Sequence, residues 1–340
     1  KHLGTPDRLD MLLVRNGDRL TGVAPLTRAG AGPAHWLAPR HRLLGTGTVG
    51  SDYLDLIVED AAEQETVAAL ARHFQRHRTT VELGQLPHGT STAGKVAQRL
   101  ASDGWTVVEN LTHVCPVVDL ADQTWDSFVA SLGRSHRQNV RRRLRKLEER
   151  FAVELERVES EAMLEEAFEI LVRLHRQRWD ARGGSEALDD PAVVGFHREL
   201  TRLALARGWL RLYVLRLDGR AVAALYGFRY GHRFLYYQSG FDEAFADLSV
   251  GLAIMALAIR SAIDEGLREY DLLHGAEPYK FHWATSVREL SRLELYPPSF
   301  EALLRRTTRR AVRGAKSRIR KWLAATAQPA GRLADRGSCR

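Results

Sequence analysis

Cysteine and long apolar runs are scarce in this chain of 340 residues. Its two cysteines, Cys115 and Cys339, stand far apart and form no CxxC pair. They exclude a disulfide framework and fit a reducing compartment. The longest apolar stretch, Leu248 to Ile259, falls short of the ~18 residues that a membrane-spanning helix needs. No basic stretch followed by an apolar core opens the sequence as given, so the expected location is the cytoplasm, including the inner face of the membrane. The 13 histidines show no HExxH-type spacing, and no metal site is expected.

What the chain has in quantity is charge, unevenly spread. Of 50 Lys and Arg and 42 Asp and Glu, 12 and 2 fall from Glu301 onward, leaving 38 and 40 in residues 1–300. The net +8 is therefore a property of the tail, and the body need not bind a polyanion. At about 150 residues per domain the length allows two domains. The composition, 44% hydrophobic and 27% charged, is that of a globular protein.

Two stretches carry the same local signal. Val14-Arg15-Asn16-Gly17-Asp18-Arg19 and Leu215-Arg216-Leu217-Asp218-Gly219-Arg220 each set an Asn-Gly or Asp-Gly turn between strand-like runs, a strong hairpin pattern. After the first come a strand (Tyr53–Val58), a helix (Ala62–Arg76), a strand (Thr80–Leu86), a helix (Ser91–Asp103) and strands through Val118. After the second come strand Arg233–Ser239, helix Ser249–Glu265, strand Glu269–Leu273, a short helix near Tyr279 and strand Glu289–Tyr296. The repeated order predicts a duplicated α/β unit with two mixed sheets joined through residues 119–130. Between the units, Arg134 to Lys146 holds seven Lys and Arg and no acid. Val140, Leu144, Leu147 and Phe151 there fall on one helical stripe. Amphipathic helices are expected over Glu161–Arg182 and Pro191–Arg207, separated by Gly183-Gly184, and a basic amphipathic helix from Arg305 to Leu323.

Two segments could carry chemistry. Tyr236-Tyr237-Gln238-Ser239-Gly240 leads through a loop to Ser249-Val250-Gly251-Leu252, which opens a long helix. A helix N-terminus presents unpaired N–H groups and the positive dipole end to an anion. Gly251 lets a ligand approach the backbone. Ser249 could equally be a plain N-cap. The second segment, Asp271 to Lys280, runs from a buried strand through Gly275 into a short helix with Glu277, Tyr279 and Lys280.

The pattern D-x-x-x-G-x-x-x-Y-K (Asp271, Gly275, Tyr279, Lys280), together with the Ser249–Gly251 loop, resembles the CelD/BcsL-like acetyltransferases. These form a cellulose- and exopolysaccharide-associated branch of the GNAT superfamily. Arg137, Arg141 and Arg142 followed by Leu147-Glu148-Glu149 resemble that family's Arg-rich opening helix. The resemblance covers about 124–297, and the first half is similar to the divergent N-terminal repeat of the same proteins. It implies a mixed α/β fold of tandem GNAT-like domains: a degenerate domain over 1–120, a catalytic domain over 121–300 and a basic tail over 301–340. It implies acyl-CoA as co-substrate and an amine on a small molecule or saccharide as acceptor. The donor would lie between the fourth and fifth strands. Gln238, Ser239, Ser249, Val250, Gly251, Leu252 and Lys280 would bind it; Arg137 and Arg141 would bind acceptor or phosphate.

Two departures stand against that pattern. Leu248 occupies the place where the general phosphate motif has Gln or Arg, and Val58-Glu59-Asp60 in the first half offers acids and no Gly. The first half is therefore expected to be a non-catalytic partner that shapes the acceptor groove. In the second half, Tyr279 is the candidate for protonating the leaving thiolate. That transfer is expected to be downhill, from a phenol near pKa 10 against a thiol near 8.5. Glu277 or Asp271 could deprotonate the amine, or serve as turn carboxylates. Lys280 could bind phosphate or be a solvated charge.

Other readings compete. Fem-type peptidyltransferases share tandem GNAT units but use aminoacyl-tRNA, and their coiled-coil arm is not evident here. A non-enzymatic basic module for RNA or anionic membrane could rest on Arg134–Lys146 and the tail. Neither segment interleaves aromatics with its arginines as single-strand binders do, so nucleic acid is not expected. An anionic membrane surface could be met by the tail helix.

Overall fold

The computed structural model describes residues 9–28, 41–47, 50–180, 186–308 and 310–311. Chain order begins with a hairpin, β1 (Leu9–Asn16) and β2 (Arg19–Arg28), then the short strands β3 (His41–Leu43) and β4 (Ile57–Val58). Helix α1 (Glu63–His77), β5 (Val81–Pro87), α2 (Thr92–Ser102) and the long β6 (Thr106–Asp119) complete the first half. The second half opens on α3 (Trp125–Ser131), α4 (Arg134–Glu148), β7 (Val153–Arg157), α5 (Glu161–Asp180), α6 (Glu186–Asp189) and α7 (Pro191–Ala206). It continues with the hairpin β8 (Leu210–Leu217) and β9 (Arg220–Tyr230), then β10 (Arg233–Phe241), α8 (Val250–Asp264), β11 (Glu269–Asp271), α9 (Pro278–Phe281) and β12 (Ser286–Tyr296).

Local chemistry explains the boundaries. Asp218 and Gly219 both have positive φ, 49° and 78°, the conformation that a two-residue turn between twisted strands demands. Helix α3 starts at a capping box, in which Thr124 and Ser127 bond each other's backbone N–H. Asp190 caps α7 ahead of Pro191. The expected strand Tyr53–Val58 shrinks to Ile57–Val58, because Tyr53 is left-handed (φ 54°) and only Ile57 and Val58 pair with β2. Likewise β11 stops at Asp271, with Leu273 at φ 51°.

The expectation of two sheets is corrected: the two halves share one 12-stranded sheet, ordered β1-β2-β3-β5-β12-β6-β11-β10-β9-β8-β7, with β4 beside β2. The halves exchange their last strands. Strand β12 pairs antiparallel with β5 of the first half, while β6 pairs antiparallel with β11 of the second. The two exchanged strands also pair with each other along Thr106–Val117 and Ser286–Tyr296. The duplicated order is present, but neither half closes its sheet alone.

Helices α1 and α2 cover one face of the first half, with Leu70, Phe74, Val96 and Leu100 in its core. The second half is covered on both faces. On one, α3, α4 and α8 pack through Phe128, Val140, Leu147 and Ile254; on the other, α5 and α7 pack through Phe168, Leu171 and Ala204. The α4 stripe read from the sequence is thus the buried edge of that helix. Residues 300–308 are helical. The Gly183-Gly184 break and the remainder of the basic tail beyond residue 311 lie outside the described residues. No helix among the described residues is long and apolar enough to cross a membrane.

Candidate active site

Strands β10 and β11 run parallel for three residues each, Arg233–Leu235 against Glu269–Asp271, and then diverge. At the divergence β10 has a bulge: Tyr236 faces Gly227 and Gln238 faces Tyr226. The extra residue breaks the two-residue alternation, so Tyr236 and Ser239 fall on the same face and their hydroxyls meet at 2.7 Å. Tyr237 and Gln238 turn to the opposite face. There Tyr237 bonds His197 and Gln238 lies beside the His175 ring.

Into the divergence opens a cleft of about 320 Å³, lined by Tyr236, Ser239, Tyr279, Arg178, Ser249 and Gly251, among others. Its floor is the N-terminus of α8. Ser249 is left-handed (φ 58°) and its side chain makes no capping bond. The Leu252 and Ala253 amides donate to the Ser249 carbonyl, while those of Val250 and Gly251 donate to no backbone acceptor among the described residues. Two N–H groups and the positive end of a 15-residue helix therefore face the cleft, an arrangement that binds anions. A Cβ on Gly251 would lie 3.1 Å from the Phe241 ring, so the backbone sits close to that aromatic.

A hydrogen-bonded line crosses the cleft. Arg178 Nη1 donates to Ser239 Oγ at 3.1 Å, Ser239 meets Tyr236 at 2.7 Å, and Tyr236 meets Tyr279 at 3.4 Å. Arg178 also lies over the Phe241 ring, 5.2 Å from its centroid. It reaches this place because Gly240 lets α5 touch β10: a Cβ there would lie 2.2 Å from the His175 nitrogen. The sequence reading missed Arg178. Its only signal was a glycine in the strand that faces the helix.

Burial raises the Tyr279 phenol well above its ordinary value, with Tyr236 and Glu277 adding to the effect. The expected downhill proton transfer is corrected on two counts. A phenol near 10 gives its proton to a thiolate whose acid is near 8.5 only uphill, and burial steepens that slope. What the geometry offers is a donor hydroxyl that stabilises a developing thiolate without losing its proton.

The second segment is built as a tight turn. Gly275 has φ 132°, and a Cβ there would strike the Glu277 carboxylate and Lys280 Nζ. Lys280 is buried. Its ammonium donates to the His274 carbonyl at 2.7 Å and pairs with Glu277 at 3.2 Å, so it is not a solvated charge. Glu277 is half exposed, outside the cleft lining. Asp271 is fully buried. It accepts from Tyr53 Oη at 2.7 Å, from the Leu273 N–H and from Arg288. Burial raises its pKa, and these bonds draw it partly back.

Next to the cleft, and sharing His136, Leu252, His282 and Trp283 with it, is a groove of about 900 Å³. Arg134 and Arg142 of α4 line it. Arg137 instead bonds the Ala130 carbonyl, and Arg141 is exposed outside the lining. His136 stacks edge-on against Trp283 at 4.4 Å, and burial lowers its pKa, with His282 adding to the effect.

At the corresponding place in the first half, α1 follows Glu59 and Asp60 and has Glu63 and Glu65 in its first turn. Glu59 is paired with Arg19. Four carboxylates there oppose a phosphate.

No curated protein matches the chain. The described fold is similar to that of FemX (11% identity over 83% of this chain and 87% of that one, TM-score 0.58). It is also similar to L-PGS from Bacillus licheniformis (13%, 91% and 91%, TM-score 0.55). A third likeness is to the C-terminal domain of a putative lysylphosphatidylglycerol synthetase from Agrobacterium fabrum (10%, 88% and 86%, TM-score 0.55). At these identities the likeness is one of fold. Residues 134–281, a little under half of the chain, match the family described as acetyltransferase (GNAT) domain.

Proposed function

We propose that the protein is an acyl-CoA-dependent N-acyltransferase whose donor binds only in the second half. The observation that carries this reading is the uncapped N-terminus of α8, with the free Val250 and Gly251 amides, opening on the cleft where β10 and β11 diverge. The pyrophosphate would lie on those amides, with Leu252 beside it and Ser249 at the turn. The thioester would lie between the diverging strands, and the nucleotide end would extend into the groove lined by Arg134 and Arg142.

An acceptor amine would attack the thioester carbonyl. As the C–S bond breaks, charge grows on sulfur, and Tyr279 or Tyr236 would donate a hydrogen bond to it. Arg178 at the far end of the line polarises these hydroxyls. Holding donor and acceptor together can supply on the order of 7–11 kcal/mol, against roughly 3–5 kcal/mol from a general base, so positioning is the larger contribution. The acceptor in this reading is an amine on a small molecule or saccharide of the cell envelope, and the basic tail would bring the enzyme to an anionic membrane surface.

Gly251→Asp tests the donor site. The new side chain would crowd Phe241 in the cleft wall and bring a negative charge beside the Val250 and Gly251 amides, and stabilisation of the protein by acetyl-CoA in thermal unfolding should disappear. A variant that binds acetyl-CoA as the parent does would refute the assignment.

A further inference from the structure

The cleft uses one side of the divergence between β10 and β11, and the other side holds titratable groups without an assigned role. His274 follows the end of β11. Its Nδ1 lies 2.7 and 2.8 Å from the two carboxylate oxygens of Asp52. Asp52, whose side chain is 1% exposed, also accepts from the His274 N–H at 3.0 Å and from Gln85 at 2.9 Å. The imidazole is thus fixed in place. Its side chain is 37% exposed, and Nε2 has no protein partner among the described residues.

This ring borders the divergence. A Cβ on Gly50 would lie 3.9 Å from the Tyr237 hydroxyl of β10 and 4.0 Å from His274 Cε1. Strand β10 and the segment after β11 therefore converge on one point, away from the Tyr236 side. Gly50, Asp52 and Gln85 all belong to the first half, as does His113, whose ring is 5.0 Å from His274.

We propose that His274, positioned by Asp52, is the base that deprotonates the acceptor, and that the acceptor is a primary ammonium arriving at the junction of the two halves. This rests on the acyltransferase reading above. The proton passes from the ammonium to Nε2, and the freed lone pair attacks the thioester carbonyl carbon. The C–S bond then breaks, its electron pair leaving with the CoA sulfur, which takes up the second proton of the nitrogen as the amide forms. Asp52 fixes the tautomer by accepting from Nδ1–H, which leaves the Nε2 lone pair outward. The first half, degenerate for phosphate binding, then has a function: it supplies the carboxylate that makes the base.

The groups facing the ring are Asp52 and His113 from the first half, and Lys280 and Glu277 from the segment around α9. The Asp52 bond raises the His274 pKa, outweighing burial and Lys280. Transfer should rise with pH as His274 loses its proton, and the limb should move to lower pH in Asp52→Asn.

The test follows thiol release from acetyl-CoA with two surrogate acceptors. Ethanolamine is an ammonium at neutral pH and needs a base; hydroxylamine is uncharged and does not. His274→Gln should lower transfer to ethanolamine about 10²-fold or more, transfer to hydroxylamine far less, and leave acetyl-CoA affinity unchanged. Equal losses with both nucleophiles, no loss with either, or an unmoved pH limb in Asp52→Asn would overturn the proposal. Failure of the parent protein to bind acetyl-CoA would instead overturn the reading beneath it.

Discussion

Tyr236 and Tyr279 are 43 positions apart in the chain and 3.4 Å apart at their hydroxyls. Tyr279→Phe keeps the ring and deletes the donor. Turnover should fall about 10²-fold, as for loss of one preorganised donor, with acetyl-CoA affinity little changed. Equal turnover, measured by thiol release, would leave Tyr279 a packing residue. At the same scale, two buried histidines set a dependence of stability on pH. Burial lowers His175 and His197 to about 4, against about 6.5 in the unfolded chain. The unfolded chain thus takes up protons that the folded one refuses. Stability from this source is full above pH 6.5 and is lost as pH falls from 6.5 towards 4, on the order of 3 kcal/mol for each ring. Urea midpoints at pH 7 and 4.5 should differ accordingly, and His197→Phe should shrink the difference. Ser249, Gly251 and Tyr279 were legible in the sequence as lining candidates. Gln238, read with them as a donor-binding residue, lies outside the cleft lining, because a bulge turns it to the opposite face and no pattern of alternation reveals a bulge.

The elements of the site are held by close backbone contact. Gly240→Ala would push α5 off β10 at His175, costing about 1–3 kcal/mol as overpacking does and displacing Arg178 from Ser239. Urea unfolding reads the first effect and acetyl-CoA titration the second; a variant unchanged in both would show that α5 can shift freely. Most elements were legible from turn signals and helical stripes, as with the Asp218-Gly219 hairpin and the Val140–Leu147 face of α4. Strand ends were less so. Asp271 looked like a residue within a longer strand, yet the chain turns two residues later at Leu273, where the turn is held by the Asp271 carboxylate itself. Lys280 was read as either a phosphate ligand or a solvated charge and is buried, held by the His274 carbonyl across the Gly275 turn and by Glu277.

For the whole molecule, duplication was legible and strand exchange was not. Strands β6 and β12 have patterns that suit either sheet, and pairing across halves depends on contacts nearly 180 positions apart, such as Thr112 with Leu290. The exchange puts Asp52 and Tyr53 of the first half against His274 and Asp271 of the second. In the proposed function, it lets a first half without a phosphate site still contribute side chains beside the cleft. The proposed function requires a single donor site in the two-unit fold. Isothermal titration of the full chain with acetyl-CoA tests it most directly. One molecule per chain, lost in Gly251→Asp, is the predicted result; two molecules per chain, or one that survives that substitution, would contradict it.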